Sequence, residues 1–404
     1  MYLRYRLGTG QLKIVALMTL GLGCGSKPAA PSITKNPATT VPSPAIAPPL
    51  ANNIAASPVS DEECITFARE LEKNIVAGNL DGATAMIDWS AMLDEAFVGL
   101  SAGQEPPPFL VGMRQGTLRT SPEFYKKIVA ETKDGGSYRL LRVKSAPEGK
   151  RALFRYRAGQ NRGLNYHEIL IYRKAGKNIG HDIEVYTTGE RQSQLVRRMA
   201  IIGISKSDVG NEMFKAMNAG SYADALAAYY RLPMNLQREK PFLLNRLRAA
   251  QQVSKQETIA AFIAFRDAHP NDSAADLNLL YSFILAEDFV AARESLDRVE
   301  KSVGGDPFLD VLRAGFFVKE SKFAEAEAAA QRAIAADTTL TDAWQMRLIA
   351  AVQTREFART AELLTMLHKV HGIQFPDLAT LPLYAEFVKS PEYKKWLAEN
   401  PSTP

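Results

Sequence analysis

Apolar positions along this chain follow different rhythms in succession, and each rhythm predicts a kind of element. After Ser60 they recur at helical spacing: Cys64, Phe67, Ala68, Leu71 and Ile75 make one stripe. Ser60-Asp61-Glu62-Glu63 ahead of it is a capping-box pattern, with serine and glutamate three apart, and Gly78 behind it is a natural helix stop. Further helical stretches are expected over 83–87, 90–100 and, beyond Pro106-Pro107-Pro108, 121–131. From Ser137 the period changes to two. Strands are expected over 138–143, 151–157, 164–173 and 179–186, with turns at Pro147-Glu148-Gly149, Gly163 and Ala175-Gly176-Lys177. Connections this short imply an antiparallel meander whose apolar face is covered by the preceding helices. Thr188-Gly189-Glu190 is then expected to open a helix running to Ile201.

From about Lys206 the pattern is helical and self-similar. Tyr222, Lys255, Phe289, Phe323 and Phe357 stand 33, 34, 34 and 34 residues apart, and Ala225, Thr258, Ala292, Ala326 and Thr360 follow each by three. A small residue at such a place lets two helices cross closely, and the aromatic before it fills the gap between neighbours. Trp344, Ala333 and Pro270 fall at other recurring places. This pattern resembles the tetratricopeptide repeat in period and in its small and aromatic positions, over five units from about Lys206 to Gln374. Lys255 departs from it, standing where an aromatic is expected. The resemblance implies a solenoid of helical hairpins that binds a protein or peptide along the face made by the first helix of each unit. Carried over unit by unit, the groove positions are Phe214 and Met217, then Leu243 and Leu247, then Leu277 and Tyr281. The fourth unit supplies Phe308, Val311 and Lys319, and the fifth Gln345 and Ile349. The Lys/Asn pairs with which chaperone-binding members clamp a terminal carboxylate are missing. Leu378 to Leu397 is expected to form terminal helices, with Lys389, Lys394 and Lys395 giving a capping element its polar outer side.

The fold class is thus multidomain: a small α+β unit, helices plus a four-stranded antiparallel sheet, followed by an all-α solenoid. The expected boundaries are 61–202 for the first, 203–374 for the second and 375–404 for the cap. The order of elements in the α+β unit resembles the cystatin-like or nuclear-transport-factor-2-like group, without a diagnostic motif.

The first 24 residues read as an address. Arg4, Arg6 and Lys13 precede a short apolar run, Ile14 to Leu22, which ends at Gly23-Cys24. That run is far short of the roughly 20 residues a spanning helix needs. The small residue before Cys24 resembles the lipobox of bacterial lipoproteins, although Gly21 stands where leucine is preferred. The resemblance implies lipidation of Cys24 and a protein held on a membrane of the bacterial cell envelope; the alternative is a plain signal peptide. Residues 25–60, rich in proline and alanine and poor in large apolar side chains, read as an extended tether.

Charge and chemistry change this picture only locally. The formal net charge is +5, which makes no case for nucleic acid, yet residues 137–177 alone carry eleven lysines and arginines against Glu148 and Glu168. A basic sheet face beside a lipid anchor could bind anionic head groups, at about 1 kcal/mol per residue near a membrane surface. The alternative is the solvated side of a half-buried sheet. Two cysteines, Cys24 and Cys64, make neither a disulfide framework nor a four-cysteine metal site. Cys64 lies on an apolar stripe and reads as a small core residue. His368 and His371 lack a carboxylate or thiol neighbour in sequence, so no metal is expected, and no cofactor motif occurs. His167, His181 and Asp182 fall on expected strands with Tyr166 and Tyr186. They carry the alternative to an interaction protein, a small-molecule-binding or catalytic α+β domain with accessory repeats; the main expectation is no enzyme.

Overall fold

A computed structural model describes residues 59–101, 105–159, 163–204, 208–270 and 272–400. Cys24, the leader and nearly all of the tether lie outside them, as does Arg162.

The expected capping box forms. The Ser60 hydroxyl accepts the Glu63 N–H at 3.1 Å, and the Glu63 carboxylate accepts the Ser60 N–H at 2.9 Å, starting α1 (Asp61–Ala77). Gly78 ends it in the left-handed conformation, at φ 75°. Four more helices follow: α2 (Leu80–Ala85), α3 (Trp89–Phe97), α4 (Pro108–Thr120) and α5 (Pro122–Lys133). Helix α4 was not expected. Only Leu110 of it is buried, and Gly112 and Gly116 interrupt it, so it carries no apolar stripe for sequence reasoning to find.

The sheet has five antiparallel strands in sequential order: β1 (Ser137–Ala146), β2 (Gly149–Ala158), β3 (Gly163–Lys174), β4 (Lys177–Val185) and the two-residue β5 (Glu190–Arg191). Four were expected. The fifth uses Glu190 where a helix start was expected, and α6 (Gln192–Ile204) begins two residues later. One face of the sheet turns Tyr138, Leu140, Ala152, Phe154, Ile169, Ile171 and Ile183 onto Leu71, Ile75, Tyr125 and Ile128 of α1 and α5. Bulges between Leu140 and Arg142, and between Leu170 and Ile171, shift the register. The first puts Leu141 with the residues of the opposite face.

The rest of the chain is a run of helix pairs: α7 (Asp208–Asn218) with α8 (Tyr222–Arg231), then a single turn α9 (Met234–Gln237), then α10 (Lys240–Val253) with α11 (Lys255–Ala268). After them come α12 (Ser273–Ala286) with α13 (Phe289–Val303), α14 (Pro307–Lys319) with α15 (Phe323–Ala336), and α16 (Thr341–Gln353) with α17 (Phe357–Lys369). Each recurring residue from Tyr222 to Phe357 is the first residue of a second helix. The small residues three further on, Ala225, Thr258, Ala292, Ala326 and Thr360, are at most 2% exposed. Threonine is accommodated there because its hydroxyl returns to the carbonyl four residues back: Thr258 to Ser254 at 2.7 Å, Thr360 to Glu356 at 3.0 Å. Phe289 stacks on Phe316 of the next pair, with ring centroids 5.7 Å apart, and Phe357 meets Phe387 in the terminal segment.

The turn inside four of the five pairs holds one residue in the left-handed region, at Gly220, Glu287, Ser321 and Arg355, with φ between 58° and 72°. The second pair instead joins its helices through the single extended residue Ser254. The terminal segment is less helical than expected. Three 3-10 turns, Leu378–Thr380, Pro382–Tyr384 and Phe387–Lys389, precede one helix, α18 (Pro391–Glu399). Pro382 and Pro391 lack the N–H that a continuous helix through them would use.

Candidate functional site

The second face of the sheet is neither bare nor solvated. Strand alternation sends Arg151, Leu153, Arg155 and Arg157 of β2 away from α1, together with Leu164, Tyr166 and Glu168 of β3, and much of this face packs against the first helices of the later pairs. Leu153, Tyr166 and Tyr186 share a buried cluster with Leu277 and Leu280 of α12, Leu296 of α13, and Leu309 and Phe316 of α14.

Around that cluster lies a set of charged contacts. Arg155 reaches Asp306 at 2.6 Å, their side chains 3% and 0% exposed. The other carboxylate oxygen of Asp306 accepts the Tyr166 hydroxyl at 2.9 Å, and Asp306 also accepts the Phe308 N–H at 3.0 Å as the N-cap of α14. A charge pair this dry depends on the further hydrogen bonds that Asp306 accepts, while the buried Arg155 Nε finds no partner among the described residues. Burial first, then the Asp306 charge, hold the Tyr166 hydroxyl well above its ordinary pKa, so it stays a donor. Arg157 pairs with Asp342 of α16 at 2.7 Å, and its guanidinium sits 4.2 Å from the centre of the Phe308 ring, with that of Arg155 at 5.1 Å. Arg139 reaches Asp337 at 3.3 Å and the Thr339 hydroxyl at 2.8 Å, and Arg142 donates to the carbonyls of Gly304 and Gly305.

Beyond β4 the contact continues. Lys240 of α10 donates to the Gly189 carbonyl at 3.2 Å and to Asp272 at 2.5 Å, and Asn278 of α12 donates to the Thr187 carbonyl at 2.9 Å. Asp272 and Asp306, 34 residues apart, N-cap α12 and α14. The contact therefore follows the row of first-helix starts, where an aspartate both caps a helix and holds a cation.

This geometry corrects the reading of the basic residues. Arg139, Arg142, Arg155 and Arg157 are all engaged by groups of the chain's own helical array, Arg155 in a fully buried pair and Arg139 at the solvated rim. Lys144 pairs with Glu168 at 2.7 Å, and Arg151 joins Glu168 and Glu184 at 3.1 and 3.2 Å. Lys150 pairs with Asp61, Arg173 with Glu63 and Lys174 with Asp88.

The groove positions inferred from the sequence fall into two groups. Leu277 and Phe308 lie where the sheet docks, and Gly163 of β3 comes close to the ring of half-buried Tyr281. Leu243, Leu247, Val311 and Ile349 are buried within the helical array. Phe214, Met217, Lys319 and Gln345 are half-buried, with Phe214 against Phe242 at 5.5 Å. Asp306 and Asp342 were not singled out from sequence. The 34-residue spacing of Asp272 and Asp306, and the alternation of arginines in 151–157, were the signals available for them.

The His/Asp/Tyr set is not brought together. His167 faces the helix side, 5.3–5.7 Å from the rings of Phe124, Tyr138 and Tyr156, and burial drives its pKa down to about 3. His181 bonds Glu95 of α3 at 2.8 Å, while Asp182 accepts the Ser193 hydroxyl of α6 at 2.5 Å. Tyr166 and Tyr186 lie on the array side. His368 bonds the Ile373 carbonyl at 3.0 Å and His371 rests against Trp344. Burial pushes the Cys64 thiol up to about 11. An open cleft of about 730 Å³ lies between the α2–α3 connection and the β3–β4 turn, floored by Phe67, Ile87, Trp89 and Ile179, with Asp88, Lys174 and Lys177 also lining it.

No family model matches the chain, and no curated protein matches it. Among solved structures it is similar to one titled "Crystal structure of MamA protein", at 14% identity and a TM-score of 0.32, over 48% of this chain and 90% of that one.

Proposed function

We propose that this chain is an exported interaction protein, tethered to a membrane of the bacterial cell envelope through lipid on Cys24, whose tetratricopeptide-type hairpins hold a protein or peptide partner. The observation that carries it is the coincidence, pair after pair, of a sequence period near 34 with the start of each second helix and a fully packed small residue three positions on. A stack built this way buries faces that no single hairpin buries alone, and its long surface suits an extended partner.

Site-specific photo-crosslinking in intact cells tests it. A crosslinker at Lys319 or Gln345, half-buried on first helices, is expected to capture one defined protein, while the same group at exposed Glu325 of α15 captures none. Equal, unspecific labelling from all three positions ends the proposal. Changing Cys24 to alanine is expected to move the protein from the membrane to the soluble fraction. If the protein remains on the membrane, the lipid anchor is withdrawn and the repeats are judged separately.

The cleft beside α2 supports the second reading, a small-molecule site in the α+β region. That reading expects a ligand that raises the melting temperature of the full chain and loses its effect on replacing Trp89.

A further inference from the structure

The array face that the sheet covers is built for a particular kind of visitor. Asp306 and Asp342 stand at or near the starts of α14 and α16, the carbonyls of Gly304 and Gly305 point at a guanidinium, and Phe308 offers its ring to two more. What fills this face is an extended strand with arginines on alternate residues, Arg155 and Arg157, and a leucine two residues before them.

We infer that the sheet is a built-in occupant of this face, and that the outside partner which takes it is a protein segment presenting arginines on alternate positions of an extended chain. The inference rests on the interaction role proposed above and names the partner's chemistry. Two features of the contact suit exchange. Around the buried cluster of Leu153 and Tyr166 with Leu277 and Leu309, it is ringed by charged pairs that water reaches, Arg139 with Asp337 and Arg157 with Asp342. Contacts between regions of one chain that are mixed in this way resemble transient interfaces. The occupant also hides the face, so a competing segment meets only the fraction of molecules in which the sheet has left. Its apparent affinity falls by that fraction.

The test uses the full chain and a fluorescent peptide with the sequence of residues 150–158. Changing Arg155→Met and Arg157→Met together loosens the sheet and leaves the array side intact. The double variant is expected to bind the peptide about tenfold or more tightly than the parent. Adding Asp306→Asn should remove the gain, and a peptide with methionine at both arginine positions should not bind. Hydrogen exchange at 304–311 is expected to quicken in the double variant. Arg157→Met alone, which spares the buried pair, should move binding in the same direction by a smaller factor and covers the case in which the double variant does not fold.

Peptide binding no tighter in the variants than in the parent overturns the inference. So does binding that ignores Asp306→Asn, or unchanged exchange at 304–311. Each of these outcomes leaves the crosslinking result standing, so failure here is distinct from failure of the interaction role. Binding of the peptide with no protein captured in cells is the converse case.

Discussion

The helical array and the sheet region bury their interiors by opposite means. In the array the pairs repeat one set of local features: a left-handed turn residue in four of the five, an aligned first residue of the second helix, and a small buried residue at the crossing. In the sheet region the decisive contacts are made once and over long distances in sequence, as when Arg155 meets Asp306, 151 residues on. A contact repeated every 34 residues leaves its mark in the chain several times; a contact made once leaves none. The two regimes meet at the first-helix starts. There Asp272 and Asp306 are equivalent by repeat, yet one holds Lys240 of the array itself and the other Arg155 of the sheet.

The largest effect is expected where the regimes meet. Arg155→Ala strands the Asp306 charge without its buried partner, and such losses cost about 3–5 kcal/mol. Arg231→Ala, which breaks an exposed pair with Glu212 in the array, is expected to cost about 0–1 kcal/mol. Urea unfolding of a chain that keeps only Trp89, with Trp344 and Trp396 changed to phenylalanine, followed by tryptophan fluorescence and by circular dichroism, separates two pictures. If sheet and array unfold as one body, Arg155→Ala shifts a single transition seen by both probes. A shift confined to the fluorescence of Trp89, with the helical signal unmoved, would show that the two regions are energetically independent.

A second contrast is acid sensitivity inside the α+β region. His167 is held neutral by burial, with its pKa near 3 in the folded chain against about 6.5 unfolded. Stability from this group is complete above pH 6.5 and is lost as the pH falls from there toward 3, at about 1.4 kcal/mol per unit. At pH 5 the expected loss is about 2 kcal/mol. His167→Phe, placed among the rings of Phe124, Tyr138 and Tyr156, is expected to flatten this limb of a stability-against-pH curve. An unchanged slope between pH 6.5 and 4.5 would rule His167 out as its source.

In the array, the crossing residue sets the next scale. Ala326→Leu forces a larger side chain between closely crossing helices and is expected to cost about 1–3 kcal/mol. Thr360→Ala, which removes a hydroxyl bonded to its own helix together with one buried methyl group, is expected to stay within about 1 kcal/mol. Comparable losses from the two would mean that close helix approach is not what keeps the position small.

How much of this was readable from residues alone follows the same division. Tyr222 to Phe357 marked a helical repeat with a period near 34, and the alternation from Tyr138 to Tyr186 marked four strands, because buried faces impose periods of their own. Helix α4 was missed because its buried face is one leucine. The two-residue β5 was missed because so short a strand shows no period. The basic run in 137–177 was visible as charge, but charge does not say what it faces, and the acids that answer it lie mainly in distant loops and helix starts. The groove positions were placed by resemblance, which carries a helix face across but not the sheet that lies against part of it.

The smallest effect isolates the backbone of the repeat. Glu287 and Ser321 occupy, at φ 59° and 58°, the place that glycine holds as Gly220 at 72°. Left-handed backbone costs a side-chain-bearing residue about 1–2 kcal/mol, while glycine loses about 0.5–1 kcal/mol through its freer unfolded chain. The balance predicts that Glu287→Gly and Ser321→Gly each stabilise by about 0.5 kcal/mol, seen as a rise of a degree or two in melting temperature. Gly220→Ala is expected to destabilise by a similar amount. A methyl group built there meets no atom within 4 Å, so its effect reports the balance of backbone strain against unfolded-chain freedom, without a steric clash. If alanine at 220 were neutral, the left-handed turn would be a passive consequence of helix packing rather than a conformation with its own energetic cost, and the glycine variants would be expected to gain nothing.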